Sequence, residues 1–429
     1  MNVNKIRFVD LFAGIGGIRK GFELACADKN LACECVFTSE IKSHAVKVLR
    51  QNHPAEDIAG DITKIDAEYI PDFDFLLAGF PCQAFSAAGK RLGFDDTRGT
   101  LFFDAARIMK VKRPYGFILE NVEGLVTHDK VNKHDKIGRT LSTILGTLEE
   151  LGYKVAWRVL NAKDFGLAQD RKRIYIAGTQ NFKPDLDNFK KRRSYLKEIL
   201  EKNLPPVQSD FIELILKHYK LSELYGKSIK DKRGGENNIH SWDIEYKGSV
   251  TQEQKELLNM MLKERRKKKW AEEFGIDWMD GMPLTLEQIR TFYDNKNLEA
   301  MLDDLAAKGY LKLEHPKKRV NNLRVQDEAL PKGYNIVSGK MSFEINKILD
   351  PEDTAPTLVA MDMQRIFVAD NGGLRPLSLR EGLRLFGYPD DYKFEVEPEE
   401  GYDLLGNTVA VPVIKDISER ILKEFEDLK

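Results

Sequence analysis

Apolar runs recur along the first 182 residues, and each stops at a glycine or an acid. Ile6-Arg-Phe-Val-Asp-Leu-Phe12 comes first and predicts a buried strand. It breaks at Ala13-Gly14-Ile15-Gly16-Gly17, after which Ile18 to Ala27 carries helical periodicity. Cys35-Val-Phe-Thr-Ser-Glu40 predicts a second strand ending in a carboxylate, and Gly60-Asp61-Ile62-Thr63 sets another acid at a strand end. Phe75 to Ala78 is a further strand, interrupted by Gly79-Phe-Pro-Cys82. Gly116 to Leu119 runs into Glu120-Asn-Val122. Leu141 to Leu151 then reads as an amphipathic helix, with Tyr153 to Leu160 and Ile174 to Ala177 as strands. Strands alternating with helices predict an α/β fold with a doubly wound parallel sheet.

In such a sheet, ligands and reacting groups gather at the carboxyl ends of the strands. The strand, glycine turn and helix at the start form a nucleotide-binding arrangement, in which the backbone approaches the ligand and the helix N-terminus faces it. Glu40 lies about twenty residues on, the interval at which a ribose-binding acid stands. Its competing reading is a solvated helix-cap glutamate. Cys82 is a candidate nucleophile at a strand end; most free cysteines are instead small buried hydrophobes. Glu120 stands at the end of a neighbouring strand, and a nucleophile and a proton donor on one sheet edge can act on one ring. A surface role for Glu120 is hard to reconcile with the apolar run before it. Arg171 and Arg173 alternate, so on a strand they send two donors to one face. Glycines at 89, 93 and 99 make Gln83 to Gly99 a loop able to close over a substrate.

Composition narrows the picture further. At 429 residues there is room for two domains, and 42% hydrophobic content supplies a sizeable core. Lys+Arg 67 against Asp+Glu 68 gives a net charge of -1, so any nucleic-acid face must be local. Four cysteines, Cys26, Cys33, Cys35 and Cys82, make no disulfide framework and fit a reduced, cytoplasmic setting. Their spacing matches no zinc pattern, and no metal is expected. Met1 to Lys5 is no signal-peptide core, no apolar run reaches membrane-spanning length, and no Walker-type phosphate loop occurs.

The composition changes from Asn181. Lys183, Lys190, Lys191, Arg192, Arg193 and Lys197 follow in quick succession, and Lys263 to Lys269 forms a basic helix face. Such runs are usually solvated surface; confined to one half of a balanced chain, they suit phosphate contact. Thr285 to Ile289 and Leu298 to Ala307 read as helices ahead of Gly309-Tyr-Leu-Lys-Leu313, the basic turn Pro316 to Arg319 and another strand-like segment. Helix, helix, hairpin over 285–326 resembles a winged-helix unit. Val409, Val413, Ile417 and Ile421 line a final helix, with Asn407 as its expected cap and Pro412 in its first turn.

Phe8-Val-Asp-Leu-Phe-Ala-Gly-Ile-Gly-Gly17, Gly79-Phe-Pro-Cys-Gln83, Glu120-Asn-Val122, Gln169-x-Arg171-x-Arg173, Arg375 to Pro389 and Gly406-Asn-Thr-Val409 stand in the order found in DNA (cytosine-5) methyltransferases. The resemblance covers almost the whole chain. With no regulatory domain ahead of the first motif, it is to bacterial or phage modification enzymes. It implies a Rossmann-like S-adenosylmethionine-dependent methyltransferase domain over 1–182, a smaller α+β target-recognition domain over 183–401, and a return to the catalytic domain over 402–429. By the same matching, Arg375 to Pro389 organises the core of the recognition domain.

The resemblance also implies roles. Cys82 attacks C6 of a flipped-out cytosine, and Glu120 holds N3 and the exocyclic amine. Arg173 contacts the base O2, and Arg171 supports the Cys82 loop or the base. Phe12 stacks on the cofactor adenine, Glu40 binds its ribose and Asp61 reads its amine, while Asp10 and Gly14 line the methionine end. Gly16, Ile41, Ile62, Gly79, Pro81, Asn407 and Val409 complete the cofactor set. Gln83, Ser86, Arg98 and Gln169 are expected at the DNA substrate. The implied partners are double-stranded DNA and a cognate restriction endonuclease, with the protein a monomer. Three rivals compete: the related class acting on tRNA, a dinucleotide oxidoreductase, and a catalytically silent DNA-binding protein. The oxidoreductase leaves Pro81-Cys82-Gln83 and the arginine pair unexplained.

Overall fold

The computed structural model describes residues 5–81, 101–132, 134–278, 280–320, 323–338, 343–360 and 363–426. The chain divides into two compact units, one of Met1–Glu201, Pro351–Gln364 and Leu377–Lys429, the other of Lys202–Asp350 and Arg365–Pro376. The division therefore differs from the boundaries expected at 182 and 402. The basic stretch after Asn181 belongs to the first unit, where part of its charge and backbone is bonded. Arg192 donates to both Asp416 oxygens at 2.9 Å, and the Leu196 and Lys197 amides donate to the Asp353 and Pro351 carbonyls.

The first unit is built on β1 (Ile6–Leu11), α1 (Gly17–Asp28), β2 (Cys33–Ser39), α2 (Ser43–Asn52), β3 (Ile58–Ala59), β4 (Phe75–Ala78), α3 (Leu101–Lys112), β5 (Gly116–Val122), α4 (Arg139–Glu150), β6 (Lys154–Asn161) and β7 (Lys172–Thr179). The seven strands run in the order β3-β2-β1-β4-β5-β7-β6. The first five are parallel, and β7 is antiparallel to both β5 and β6.

Alternation along β1 decides which layer each residue joins. Val9 and Leu11 pack with α3 and α4, while Ile6 and Phe8 pack with α1 and the terminal helix Val411–Glu426. Burial on both faces is why these strands read as nearly unbroken apolar runs. The winding reverses between β1 and β4, and the crevice outside their carboxyl ends is where an open α/β sheet binds ligands. Because β7 runs the other way, its beginning lies at that edge: Arg173 pairs in register with Val122.

Two local expectations are corrected. Asn407 closes the preceding helix, Pro398–Gly406, and does not open the terminal one. Its side-chain amide donates to the Asp403 carbonyl at 2.8 Å, and the terminal helix starts only at Val411. Pro412 then falls in the first turn, where no amide hydrogen is needed. Of the Arg375 to Pro389 motif, only Arg375 and Pro376 lie in the second unit. The remainder forms the helix Leu379–Phe386 of the first, opened by a capping box in which Ser378 and Glu381 bond reciprocally. A β-carbon at Gly382 would stand 2.4 Å from Leu405 Cδ1, so this helix packs closely on Pro398–Gly406.

The second unit holds a five-stranded sheet in the order Gly373–Pro376, Ile366–Asp370, Lys347–Ile348, Ser228–Ile229, Asn238–Ile239. A separate core joins the helices Gln252–Glu264, Leu286–Arg290 and Leu298–Ala307 around Trp242, Leu284, Tyr310 and Ile336. Leu284 bridges antiparallel to Tyr334, and Gly333–Ile336 pairs antiparallel with Leu311–Glu314. Between those two strands the chain makes a ribbon, Lys317–Val320 against Leu323–Gln326. Among the described residues no helix is long and apolar enough to cross a membrane.

Candidate active site

A cavity of about 470 Å³ opens at the switch point, lined entirely by residues of the first unit. Each parallel strand contributes the residues just beyond its carboxyl end. Phe12 and Gly14 come from β1, Ser39 to Lys42 from β2, Asp61 and Ile62 from β3, and Gly79 to Pro81 from β4. Glu120 to Val122 end β5, Arg171 and Arg173 start β7, and Leu404, Gly406 and Asn407 come from the helix before the C-terminal one.

At one side sits a buried ion pair. Glu120 is 8% exposed, and its Oε1 lies 3.3 Å from Arg173 Nε. Burial pushes the Glu120 carboxyl above its ordinary range, opposed by the charges of Arg173 and Arg171. A carboxyl so placed is suited to holding a proton and donating it to a ring nitrogen. Arg171 is 3% exposed and has a different task from its neighbour. It donates to the Leu358, Gly406 and Thr408 carbonyls at 2.9, 3.3 and 2.8 Å, and its guanidinium lies 5.0 Å from the centre of the Phe386 ring. Burial and the charge of Arg173 push it down to about 10, against the pull of Glu120. Its Nε finds no partner among the described residues. Arg171 thus fixes the segments from 358 and 406 against the sheet, while Arg173 addresses Glu120.

Asn121, to which the sequence alone gave no role, acts as a tie. Its buried amide donates to the Phe80 carbonyl at 2.8 Å, and its Oδ1 accepts from the Val122 amide. It joins the end of β5 to the segment that follows β4. The signal was available: an asparagine is disfavoured inside a strand and needs a specific bond to stay there. Cys82, Gln83, Ser86 and Arg98 themselves lie outside the described residues.

The residues expected at the cofactor largely line this one cavity. Phe12 directly follows β1 with φ +55°, a conformation that a bulky residue rarely adopts, and it lines the cavity. Gly14 also has positive φ, at +56°. Its amide donates to Glu40 Oε2 at 2.7 Å. Glu40 Oε1 accepts from the Ile41 and Lys42 amides, so the carboxylate ties the glycine turn to the backbone leading into α2. Asp61 Oδ1 accepts from the amide and hydroxyl of Thr63, which hold its carboxyl below the usual range. Ile41 is 75% exposed, an apolar side chain held at the cavity rim. An aromatic ring, two isoleucines and two carboxylates around one cavity form a lining that suits an adenosyl group: apolar faces for the purine, acceptors for ribose hydroxyls and amine.

Four expected residues stand apart. Asp10 is 1% exposed and is not among the cavity-lining residues; neither of its carboxylate oxygens has a hydrogen-bond partner among the described residues. Burial pushes its carboxyl up to about 8, against the charge of Arg19. Gly16, with φ +72°, is the N-cap of α1. Val409 packs in the core between α1 and the terminal helix. Gln169 is fully buried, where its amide donates to the Leu385 carbonyl at 3.1 Å. The structure thus gives Gln169 to the packing of the first unit and does not bring it to the cavity.

The fold is that of a Rossmann-like methyltransferase. It resembles the solved structure of S. pombe Dnmt2 methyltransferase, with a TM-score of 0.55 at 15% identity over 98% of this chain and 99% of that one. It also resembles a putative DNA modification methyltransferase encoded within an E. coli prophage, with a TM-score of 0.50 at 19% identity over 98% and 100% of the two chains. The C-5 cytosine-specific DNA methylase family matches residues 6–423, and this chain belongs to it. The Type II methyltransferase M.NlaIV of Neisseria lactamica is 67% identical over 98% of this chain and 99% of its own length. M.BanI of Aneurinibacillus aneurinilyticus, another Type II methyltransferase, is 42% identical over 98% and 96%.

Proposed function

We propose that this chain methylates cytosine C5 at a specific site in duplex DNA, as the modification partner of a restriction endonuclease in the cytoplasm of its host. The observation that carries the reading is the buried Glu120–Arg173 pair facing the cavity, with Asn121 bonded to the backbone two residues before Cys82. S-adenosylmethionine, when bound, supplies the methyl group. Phe12, Ile41 and Ile62 would hold its adenine, and Glu40 and Asp61 its ribose and amine.

The reacting ring is handled by the chain's own side chains. The target cytosine lies inside a duplex, so it is flipped out at a cost of a few kcal/mol. The Cys82 thiolate adds to C6, forming the S–C6 bond and moving the ring electrons toward C5 and N3. Glu120 gives its proton or hydrogen bond to N3 as that charge develops, and Arg173 contacts O2. C5 thereby becomes the nucleophile. After methylation a base takes the C5 proton, the electrons return to the C5–C6 bond, and Cys82 leaves as thiolate. Expression in a host lacking cytosine methylation, followed by mapping of 5-methylcytosine across its DNA, tests the reading. One recurrent methylated sequence is expected; unmodified DNA would overturn it.

A further inference from the structure

The second unit contains an element whose composition makes little sense as structure alone. In the ribbon Lys317–Val320/Leu323–Gln326, the register sets Lys317 opposite Gln326 and Arg319 opposite Arg324. These four share one face, because positions two apart on a strand point the same way. Lys318, Val320, Leu323 and Val325 share the other. Seven of the eight residues are exposed, Leu323 to 69%, and Val320 and Val325 to more than 40%. Like charges directly across a strand pair destabilise it, and valine and leucine left this exposed bury little in return. Of the four cations, only Lys318 has an ion-pair partner among the described residues, Asp327 at 3.1 Å. A local rule broken without compensation points to function.

The surroundings extend the face. Lys317, Arg319 and Arg324 line a cavity of about 260 Å³ together with Trp278 and Asp277. Trp278 is 42% exposed, yet it is held in place: its indole donates to the Arg266 carbonyl at 3.0 Å, and Arg324 donates to its carbonyl at 3.3 Å. The site therefore presents three cations and an anchored aromatic edge, with one carboxylate, Asp277, beside them.

The neighbouring helix gives the contrast. Leu298–Ala307 follows Leu286–Arg290 in the place where a helix-turn-helix protein carries its reading helix. Its exposed positions are Glu299, Ala300, Asp303 and Ala307, and the half-buried Asp304 pairs with Lys308. An acidic helix face is repelled by phosphate. Charge sign thus excludes that helix as the contact and favours the ribbon.

We infer that the ribbon is the element of this chain that enters a groove of duplex DNA, with Lys317, Arg319, Arg324 and Gln326 turned toward the nucleic acid. A two-stranded ribbon fits the major groove of B-DNA. Each guanidinium presents a fork of donors that suits a guanine edge or a phosphate. The inference rests on the duplex-DNA reading proposed above.

The test compares the full-length protein with Arg319→Ala, Arg324→Ala, the double variant and Lys317→Ala, using duplexes that hold the methylated site and single-base variants of it. All substitutions fall on an exposed ribbon, and unchanged S-adenosylmethionine affinity and melting temperature serve as the folding check. Each arginine variant is expected to raise KM for DNA about 10- to 100-fold. Relaxed preference at one base pair marks a base-edge contact; a uniform loss with a log–log salt slope lower by about 1 marks a phosphate contact. Lys317→Ala is expected to show the uniform loss. A double variant with the wild-type KM, salt slope and site preference overturns the inference. Failure of the wild-type protein to methylate any DNA would instead indict the proposed function.

Discussion

The two units handle charge in opposite ways. In the first, the charges around the cavity are engaged, and Glu120 and Arg171 are buried: Glu120 faces Arg173, Arg171 holds three carbonyls, and Glu40 accepts three backbone amides. In the second, the ribbon displays Lys317, Arg319 and Arg324 on an exposed face. Preorganised charge in a sheltered cavity stabilises charge that develops in a reaction, because nothing has to reorganise at that moment. Displayed charge attracts a polyanion and gives up counterions, so it acts on affinity. Substitutions in the first unit should therefore alter turnover and stability, and those on the ribbon should alter binding and its salt dependence.

The sharpest break of that contrast lies at Glu120. Glu120→Gln removes the carboxyl that can donate a proton to the ring, and kcat should fall about 10²–10⁴-fold with little change in KM for DNA, measured in steady-state methylation assays. An unchanged kcat would erase the distinction between the units. Second in size is Arg171→Ala, which leaves the Leu358, Gly406 and Thr408 carbonyls without their donor. Stability should drop by about 3 kcal/mol in urea unfolding, since each buried orphan carries its own desolvation penalty.

Asp10 probes the same principle from the other side, as a buried carboxyl without a hydrogen-bond partner among the described residues. Its carboxyl rises from 3.8 to about 8 in the fold, so the folded state keeps a proton that the unfolded chain releases. That contribution is fully present below about pH 4 and is lost as pH climbs toward 8, with a slope of at most about 1.4 kcal/mol per pH unit. Asp10→Asn should flatten that decline in unfolding measured from pH 5 to 8; an unaltered slope would show that the carboxyl is ionised in the fold. The smallest effect belongs to the ribbon. Lys318→Ala removes a surface pair that is 48% exposed on the lysine side, and stability should shift by less than about 1 kcal/mol.

The same division governs how much could be read from sequence. Parallel strands covered on both faces leave apolar runs, and their chemistry hangs on the residues just beyond, so Phe12, Glu40, Asp61, Glu120 and Arg173 were legible at the cavity. Arg171 was legible as a donor but not as a brace, because its acceptors lie 187 to 237 residues away in sequence. Asn407 read as the start of a helix because a capping residue looks alike at either end until its bonds are seen; it bonds back to Asp403. The basic stretch from Lys183 to Lys197 marked a change of surface and not a boundary, with Arg192 paired to Asp416 and Lys197 to Glu352 in the first unit. The ribbon was legible only as a basic turn. Its meaning depends on register, which opposes Arg319 to Arg324.

In the proposed mechanism Cys82 carries the cytosine during transfer. The direct measurement is intact-protein and peptide mass spectrometry after incubation with S-adenosylmethionine and a duplex bearing 5-fluorocytosine at the methylated position. Fluorine in place of the C5 proton blocks the elimination step, so a stable protein–DNA adduct is expected, methylated at C5 and mapped to the peptide containing Cys82. An adduct of the same yield formed by the Cys82→Ser protein would contradict it.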